Sequence, residues 1–227
     1  MKNPFPKNPV FQQFLNLKDY FRLYTTRETQ KRTLDLIRIA RIIQQSGDPV
    51  AFDLLGSINF GMAEDKSDVD MVFYLDCQHN EEATYENTPR LRFYETLVLT
   101  SLVYEVSDHP FHIEIVDCIN LGRLRYLIEK EIWDDDLILR FVFYRTICRG
   151  VNKSILREFE NAIMANEVLF KNIENQLTEY LVEFTKTHGH RMSFEKYKTR
   201  LQDRDIKIPV SIFDKLSKYL TQSKASE

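Results

Sequence analysis

Asp68 and Asp70, separated by one residue, follow the pair Gly56-Ser57 after a ten-residue spacer. The segment from Val69 to Leu75 has the apolar character of a strand, on which residues two apart share a face. Asp68 and Asp70 therefore present paired carboxylates, while Val69 and Met71 face the other way. Two hard oxygen donors side by side suit Mg²⁺. A Gly-Ser turn that opens a helix lets backbone N–H groups approach phosphate closely, with the helix end and the Ser57 hydroxyl aimed at the same oxygens. Either half alone is more often structural: a strand-to-helix turn built from small residues, or solvated positions on a half-exposed strand. The joint pattern points to phosphoryl chemistry, in which positioning and charge neutralisation do most of the catalysis.

Leu55-Gly56-Ser57, Gly61, Ser67 and Asp68-Val69-Asp70-Met71, with apolar residues before and after them, resemble the signature of the nucleotidyltransferase superfamily typified by DNA polymerase beta. That signature is hydrophobic-Gly-Ser, a loop, then Asp-hydrophobic-Asp-hydrophobic. The resemblance implies an α/β (α+β) fold with a small mixed sheet. It also implies transfer of a nucleoside monophosphate from a nucleoside triphosphate, ATP by default, to a hydroxyl acceptor, with Mg²⁺ or Mn²⁺ as cofactor and pyrophosphate leaving. Asp68 and Asp70 would hold the metal, and Gly56 and Ser57 would cradle the β- and γ-phosphates. Lys66 and Ser67 would lie at the nucleotide.

The family's third carboxylate, usually an aspartate, lies on a neighbouring strand. The segment Phe111-His112-Ile113-Glu114-Ile115-Val116-Asp117-Cys118-Ile119-Asn120 is similar to the matching stretch of small bacterial nucleotidyltransferases of the antibiotic-modifying and antitoxin type. Read that way, Glu114 takes the third position, a glutamate where the family has aspartate, and either completes the metal site or deprotonates the acceptor. Some aminoglycoside nucleotidyltransferases look similar in using a glutamate. Asp117 would face the opposite side of a straight strand and competes only if a bulge intervenes.

The elements that must position these residues fall into three sections: a helical extension over 1–49, a core over 50–133 and a helical region over 134–227. Two helices are expected between 9 and 46, the second opened by a capping box at Thr25-Thr26-Arg27-Glu28. Strands are expected near 51–55, 69–75 and 111–117, with a helix near 89–105 and another after Asn120. The polar segment 76–89, with Cys77, His79, Asn80, Glu81, Glu82 and Asn87, could rim the site. In the last section a helix is expected over 134–149. Beyond it Leu156, Phe159, Ile163, Asn166, Phe170, Ile173, Leu177, Tyr180 and Phe184 recur at intervals of three and four, a heptad stripe interrupted at Asn166. As one continuous helix it would run roughly 45 Å. Two readings of the stripe stay open: packing within the chain, or a homodimer seam over 152–187 with Asn166 fixing register. His188-Gly189-His190 reads as a helix-ending turn rather than a metal site.

Composition sets the remaining bounds. The 227 residues are 43% hydrophobic and 29% charged, apolar enough to fold and too apolar for disorder. No run reaches the eighteen or so apolar residues of a membrane span, and the opening residues lead into no apolar signal segment. The expected location is cytoplasmic. Cys77, Cys118 and Cys148 are widely spaced and read as buried thiols. The net charge of −3 is uneven, +5 over residues 1–50 and −8 over the rest. The basic stretch Lys186–Lys207 reads as a solvated helix face. A nucleic-acid acceptor would need a more continuous basic face, which leaves a small molecule or a protein side chain. A second class of function is a catalytically silent member, kept as a nucleotide- or partner-binding module. It would have to tolerate two unpaired carboxylates at a cost in repulsion and desolvation.

Overall fold

The amphipathic stretch at the N-terminus folds as α1 (Pro9–Arg22), followed by α2 (Arg27–Gln45). The computed structural model describes residues 9–45, 47, 50–78, 89–108, 110–186 and 188–215. Phe11, Phe14, Leu17 and Phe21 are buried along one stripe of α1, and Leu36, Ile39, Ala40 and Ile43 along α2. Leu23 and Leu34 are exposed. The cap of α2 lies one residue later than expected. The Thr26 hydroxyl accepts from Thr29 N, whereas Thr25 Oγ1 donates back to the Arg22 carbonyl at the end of α1.

The elements that follow are β1 (Val50–Leu54), a single helical turn α3 (Gly56–Asn59), β2 (Val69–Leu75) and α4 (Pro89–Ser101), which continues as a π-helical turn over Leu102–Val106. After these come β3 (Ile113–Asn120), α5 (Leu121–Glu129), α6 (Asp136–Ile147) and the short strand β4 (Arg149–Val151). A 3₁₀ turn (Lys153–Leu156) then leads into α7 (Arg157–Ala165), α8 (Glu167–Lys186) and α9 (His188–Gln202). The protein is thus mixed α/β, its four strands ordered β3-β2-β1-β4. β1 is antiparallel to both β2 and β4, and β2 is parallel to β3. A parallel neighbour requires a crossover, and residues 76–112, which include α4, make it.

Both faces of the sheet are covered, so β1 is buried at every position. Val50, Phe52, Leu54, Met71 and Phe73 face α2 and α4, with the Phe52 and Phe73 rings 4.7 Å apart edge to face. Ala51, Val72, Tyr74 and Ile119 face the opposite layer, built from α1 and α5 to α9. That second cluster draws residues from all three sections of the sequence. Its polar centre is Asp53, fully buried, which accepts from the Tyr74 hydroxyl at 2.6 Å and from Arg145 at 2.5 Å; Arg145 also meets Glu160 at 2.7 Å. A buried carboxylate is tolerable when paired and hydrogen-bonded in this way, and the set ties β1, β2, α6 and α7 together.

The expected long helix over 152–187 is broken. Asn166 has extended backbone (φ −98°, ψ 92°) between α7 and α8, and its Oδ1 accepts from Leu169 N at 3.0 Å. It is a helix cap, not a polar member of a continuous seam. Leu156, Phe159, Ile163, Ile173 and Leu177 are buried inside the chain. His188-Gly189-His190, expected to end a helix, opens α9. The strand expected at 111–117 begins and ends later, with Asn120 capping α5 through Arg123 N. Most of the polar segment 76–89, including His79, Asn80, Glu81, Glu82 and Asn87, lies outside the described residues, as does the side chain of Phe170. No described helix is long and apolar enough to cross a membrane.

Candidate functional site

At the end of β1 the chain turns through Leu55 and Gly56. Gly56 has φ +58°, in the left-handed region, and a Cβ there would overlap the Asp70 carboxylate at Oδ2. Only glycine meets both requirements without strain. Leu55 N donates to Asp70 O at 2.9 Å, which fixes the turn to the start of β2. The helix expected after Gly-Ser is one turn long, so an aligned macrodipole contributes little. What remains are the N–H groups that no first helical turn can satisfy internally and the partly exposed Ser57. The turn is held from behind: Arg22 donates to Asn59 O at 2.8 Å and to Asn59 Oδ1 at 2.9 Å, and Asn59 Nδ2 donates to Ile147 O at 2.9 Å. Gly61 (φ +80°) then reverses the chain close to Thr25.

The loop from Gly61 to Asp68 is clasped from two helices. Arg32 on α2 donates to the carbonyls of Glu64 and Asp65, each at 2.8 Å, and to that of Ser67, and its guanidinium lies 5.0 Å from the Phe111 ring centre. Arg200 on α9 donates to the Met62 carbonyl and meets Glu64 at 2.5 Å. Ser67 uses its hydroxyl locally, accepting from Glu64 N at 2.9 Å. Lys66 is exposed and lines a hollow with Arg27 and Glu28, separate from the cleft that contains Gly56 and Asp70.

Asp68, Asp70 and Glu114 come to one edge of the sheet. In the parallel register Asp70 stands opposite Glu114, so their side chains share a face. Asp68 and Glu114 are exposed, and His112 Nδ1 lies 3.6 Å from Asp68 Oδ1. Asp70 is half-buried. Its carboxyl is pushed above the usual range by loss of water, and further by the charges of Glu114 and Asp68, with His112 opposing weakly. Asp70 has no ion-pair partner among the described residues. As placed, no three His, Cys, Asp or Glu side chains among the described residues form a group that could hold a metal ion.

β3 bulges beside Met71 and Val72: Ile115 pairs with Met71, but Asp117 rather than Val116 pairs with Val72. The extra residue brings Asp117 onto the face of Asp70, which a straight strand forbids. Asp117 is occupied there. Arg140 contacts it at 2.7 Å, Cys118 N donates to it at 2.7 Å, and the Tyr144 phenol hydrogen-bonds to it, with burial and this carboxylate together pushing the phenol up. Glu114, not Asp117, raises Asp70.

A cleft of about 970 Å³ opens from Gly56 and Asp70. Leu55 and Val116 line it, together with Phe143 and Tyr144 of α6 and Tyr180 and Phe184 of α8. Sequence reasoning placed Tyr180 and Phe184 on a packing stripe and missed the cleft, as it missed the clasps by Arg32 and Arg200. Long-range pairings of this kind leave no local signal. The chain matches no family model, no curated protein and no solved structure.

Proposed function

We propose that the protein is a divalent-cation-dependent nucleotidyltransferase that moves a nucleoside monophosphate from a nucleoside triphosphate to a hydroxyl acceptor. One observation supports this above the others: Asp70, in register with Glu114 and two residues from Asp68, abuts a glycine whose missing side chain leaves its carboxylate room. Asp68, Asp70 and Glu114 are hard oxygen donors of the kind Mg²⁺ prefers, and Asp70 has no basic partner among the described residues. Asp68, Asp70 and Glu114 would hold the ion. Bound there, it would neutralise phosphate charge and orient the triphosphate.

The chain's own groups divide the remaining work. Backbone N–H groups at Gly56 and Ser57, with the Ser57 hydroxyl, bind the outgoing phosphates. Glu114, exposed near the start of β3, takes the acceptor's hydroxyl proton. The acceptor oxygen then bonds to the α-phosphorus, the bond from that phosphorus to the bridging oxygen breaks, and pyrophosphate leaves. Arg32 and Arg200 hold the loop before Asp68 still while this occurs.

The test is pyrophosphate release from each of the four ribonucleoside triphosphates with Mg²⁺ or Mn²⁺, using cell extract as acceptor source and the Asp68→Asn, Asp70→Asn double variant as control. Label that moves onto an acceptor only with the intact pair supports the reading. Absence of transfer with every nucleotide, together with nucleotide binding that both proteins share, would replace it with a binding module.

A further inference from the structure

The cleft beside Asp70 differs in chemistry from the carboxylate edge it opens on. Four aromatic side chains, Phe143, Tyr144, Tyr180 and Phe184, line it together with Leu55 and Val116. The rings form a connected set: Phe143 lies 5.7 Å from Tyr144, 5.9 Å from Tyr180 and 5.5 Å from Phe184, centre to centre. Its charged lining is mainly acidic. Asp70 stands at one end, and Glu179 and Glu183, one turn apart on α8, stand on the same side as Tyr180 and Phe184. Arg140 is the one basic lining residue among those described, and it is committed to Asp117 at 2.7 Å and Asp136 at 2.9 Å. A smaller adjoining hollow of about 310 Å³ shares Glu179 and Tyr180 and adds Asp134, Asp135 and Asp136.

We infer that this cleft is the acceptor subsite and that it takes an amphiphilic organic cation: an apolar or aromatic body, one ammonium centre and a hydroxyl directed toward Asp70. The inference rests on the nucleotidyltransferase reading for the word acceptor; the cation-binding cleft stands on its own lining. Aromatic faces attract ammonium groups, most strongly where water is excluded, and carboxylates at the rim add attraction over a longer range. The volume suits a drug-sized molecule. A polyhydroxylated aminosugar fits poorly, because hydroxyls pressed against aromatic walls lose their hydrogen bonds to water without replacement. A nucleic-acid end is disfavoured by the sign of the charge.

The test uses the full chain and a pair of probes alike in shape. One is benzyldimethyl(2-hydroxyethyl)ammonium; the other is its neutral carbon counterpart, 3,3-dimethyl-4-phenylbutan-1-ol. Titration calorimetry without nucleotide is expected to show the cation binding at least tenfold tighter than the alcohol. Glu179→Gln should weaken the cation at least threefold and leave the alcohol unchanged; the position is exposed, and a thermal melt checks that the variant folds. Phe184→Leu should weaken the cation as well. Equal binding of the two probes, tighter binding of a polyhydroxylated aminosugar, or no binding of the cation overturns the inference. Cation binding without transfer from any nucleotide leaves the cleft assigned and removes the catalytic reading. Transfer to another acceptor with no cation binding does the reverse.

Discussion

Gly56 and Asp70 are packed so closely that a Cβ on the first would occupy the space of the second's carboxylate oxygen. The contact joins the two halves of the motif across the spacer, and the bond from Leu55 N to Asp70 O holds it in place. Gly56→Ala therefore meets two obstacles, the left-handed backbone and the carboxylate. The backbone alone costs about 1 kcal/mol for a residue with a Cβ, and the overlap should bring the loss to about 2–3 kcal/mol in urea unfolding. Combining it with Asp70→Gly should recover the steric part and leave about 1 kcal/mol. Simple additivity of the two single changes would show that the contact is not what excludes a side chain.

Asp70 should destabilise the empty protein at neutral pH. Its carboxyl is raised, so the folded state holds that proton more tightly than the unfolded chain does. The benefit is present in acid and is lost as pH climbs through the raised value; at pH 7 the whole cost of the charged form remains. Asp70→Asn is expected to melt a few degrees higher than wild type at pH 7, with the gap closing below pH 4. Millimolar Mg²⁺ or Mn²⁺ should raise the wild-type midpoint and leave Asp70→Asn unmoved. A variant that melts lower at pH 7 would contradict the account.

Glu114 and Asp117 share a face of β3 for different reasons, and substitution should separate them. Glu114→Gln removes the charge that most raises Asp70, so stability at pH 7 should hold or rise while the cation response falls. Asp117→Asn weakens the contact with Arg140 and the bond from Tyr144, so it should cost about 1–3 kcal/mol in denaturant and leave the cation response largely intact. The reverse pattern would move the third carboxylate to Asp117.

Arg32 acts at a distance, through the loop before Asp68. Arg32→Ala strips the donor from three backbone carbonyls, and carbonyls left unpaired in a partly buried setting should cost about 2–3 kcal/mol together. The midpoint concentration of Mn²⁺ in a thermal-shift titration should rise several-fold. Arg32→Lys, which cannot fork across several acceptors, should recover only part of both effects. Full recovery by lysine would mean that charge rather than the fork matters.

Lys18 carries a pH dependence of opposite origin. Buried in α1, with its amine donating to the Ile147 carbonyl, it has its pKa lowered from 10.5 to about 7, chiefly by burial and then by Arg22, against weaker pulls from Cys148, Asp19 and Asp53. The unfolded chain binds this proton more tightly than the folded one. The cost of the charged amine is complete below pH 7 and disappears as pH approaches 10.5. Lys18→Met should therefore stabilise the protein at pH 6, and its advantage over wild type should shrink steadily to pH 10. A constant difference across that range would assign the effect to packing instead.

The parts of the site legible in sequence were those whose spacing is local. An apolar run marked Val69–Leu75, and β2 occupies those residues. Glu114, named through a family resemblance, stands opposite Asp70 in the sheet. The bulge at Val116 stayed open in the sequence, because register is decided only by the partner strand. Three residues, Arg149-Gly150-Val151, form β4 solely because β1 offers an edge. Asn166 interrupted the stripe without shifting its phase, so periodicity could not distinguish a cap from a polar position within one helix. The cleft was hidden for a related reason: aromatics that line a cavity and aromatics that fill a core obey the same helical spacing.

The parallel pairing of β2 with β3 also fixes an order of assembly. β1 and β2 are antiparallel neighbours joined by residues 55–68, so Gly56 and Asp70 can meet as soon as that hairpin closes. Asp70 meets Glu114 only after the crossover through α4 is complete, and the aromatic walls from α6 and α8 arrive from farther along the chain still. Loop closure over such separations is the slow part of forming a fold. During synthesis, the nascent chain can thus secure its N-terminal hairpin while Asp68 and Asp70 are still bathed in water. The mutual repulsion of the three carboxylates is postponed until enough packed surface exists to withstand it.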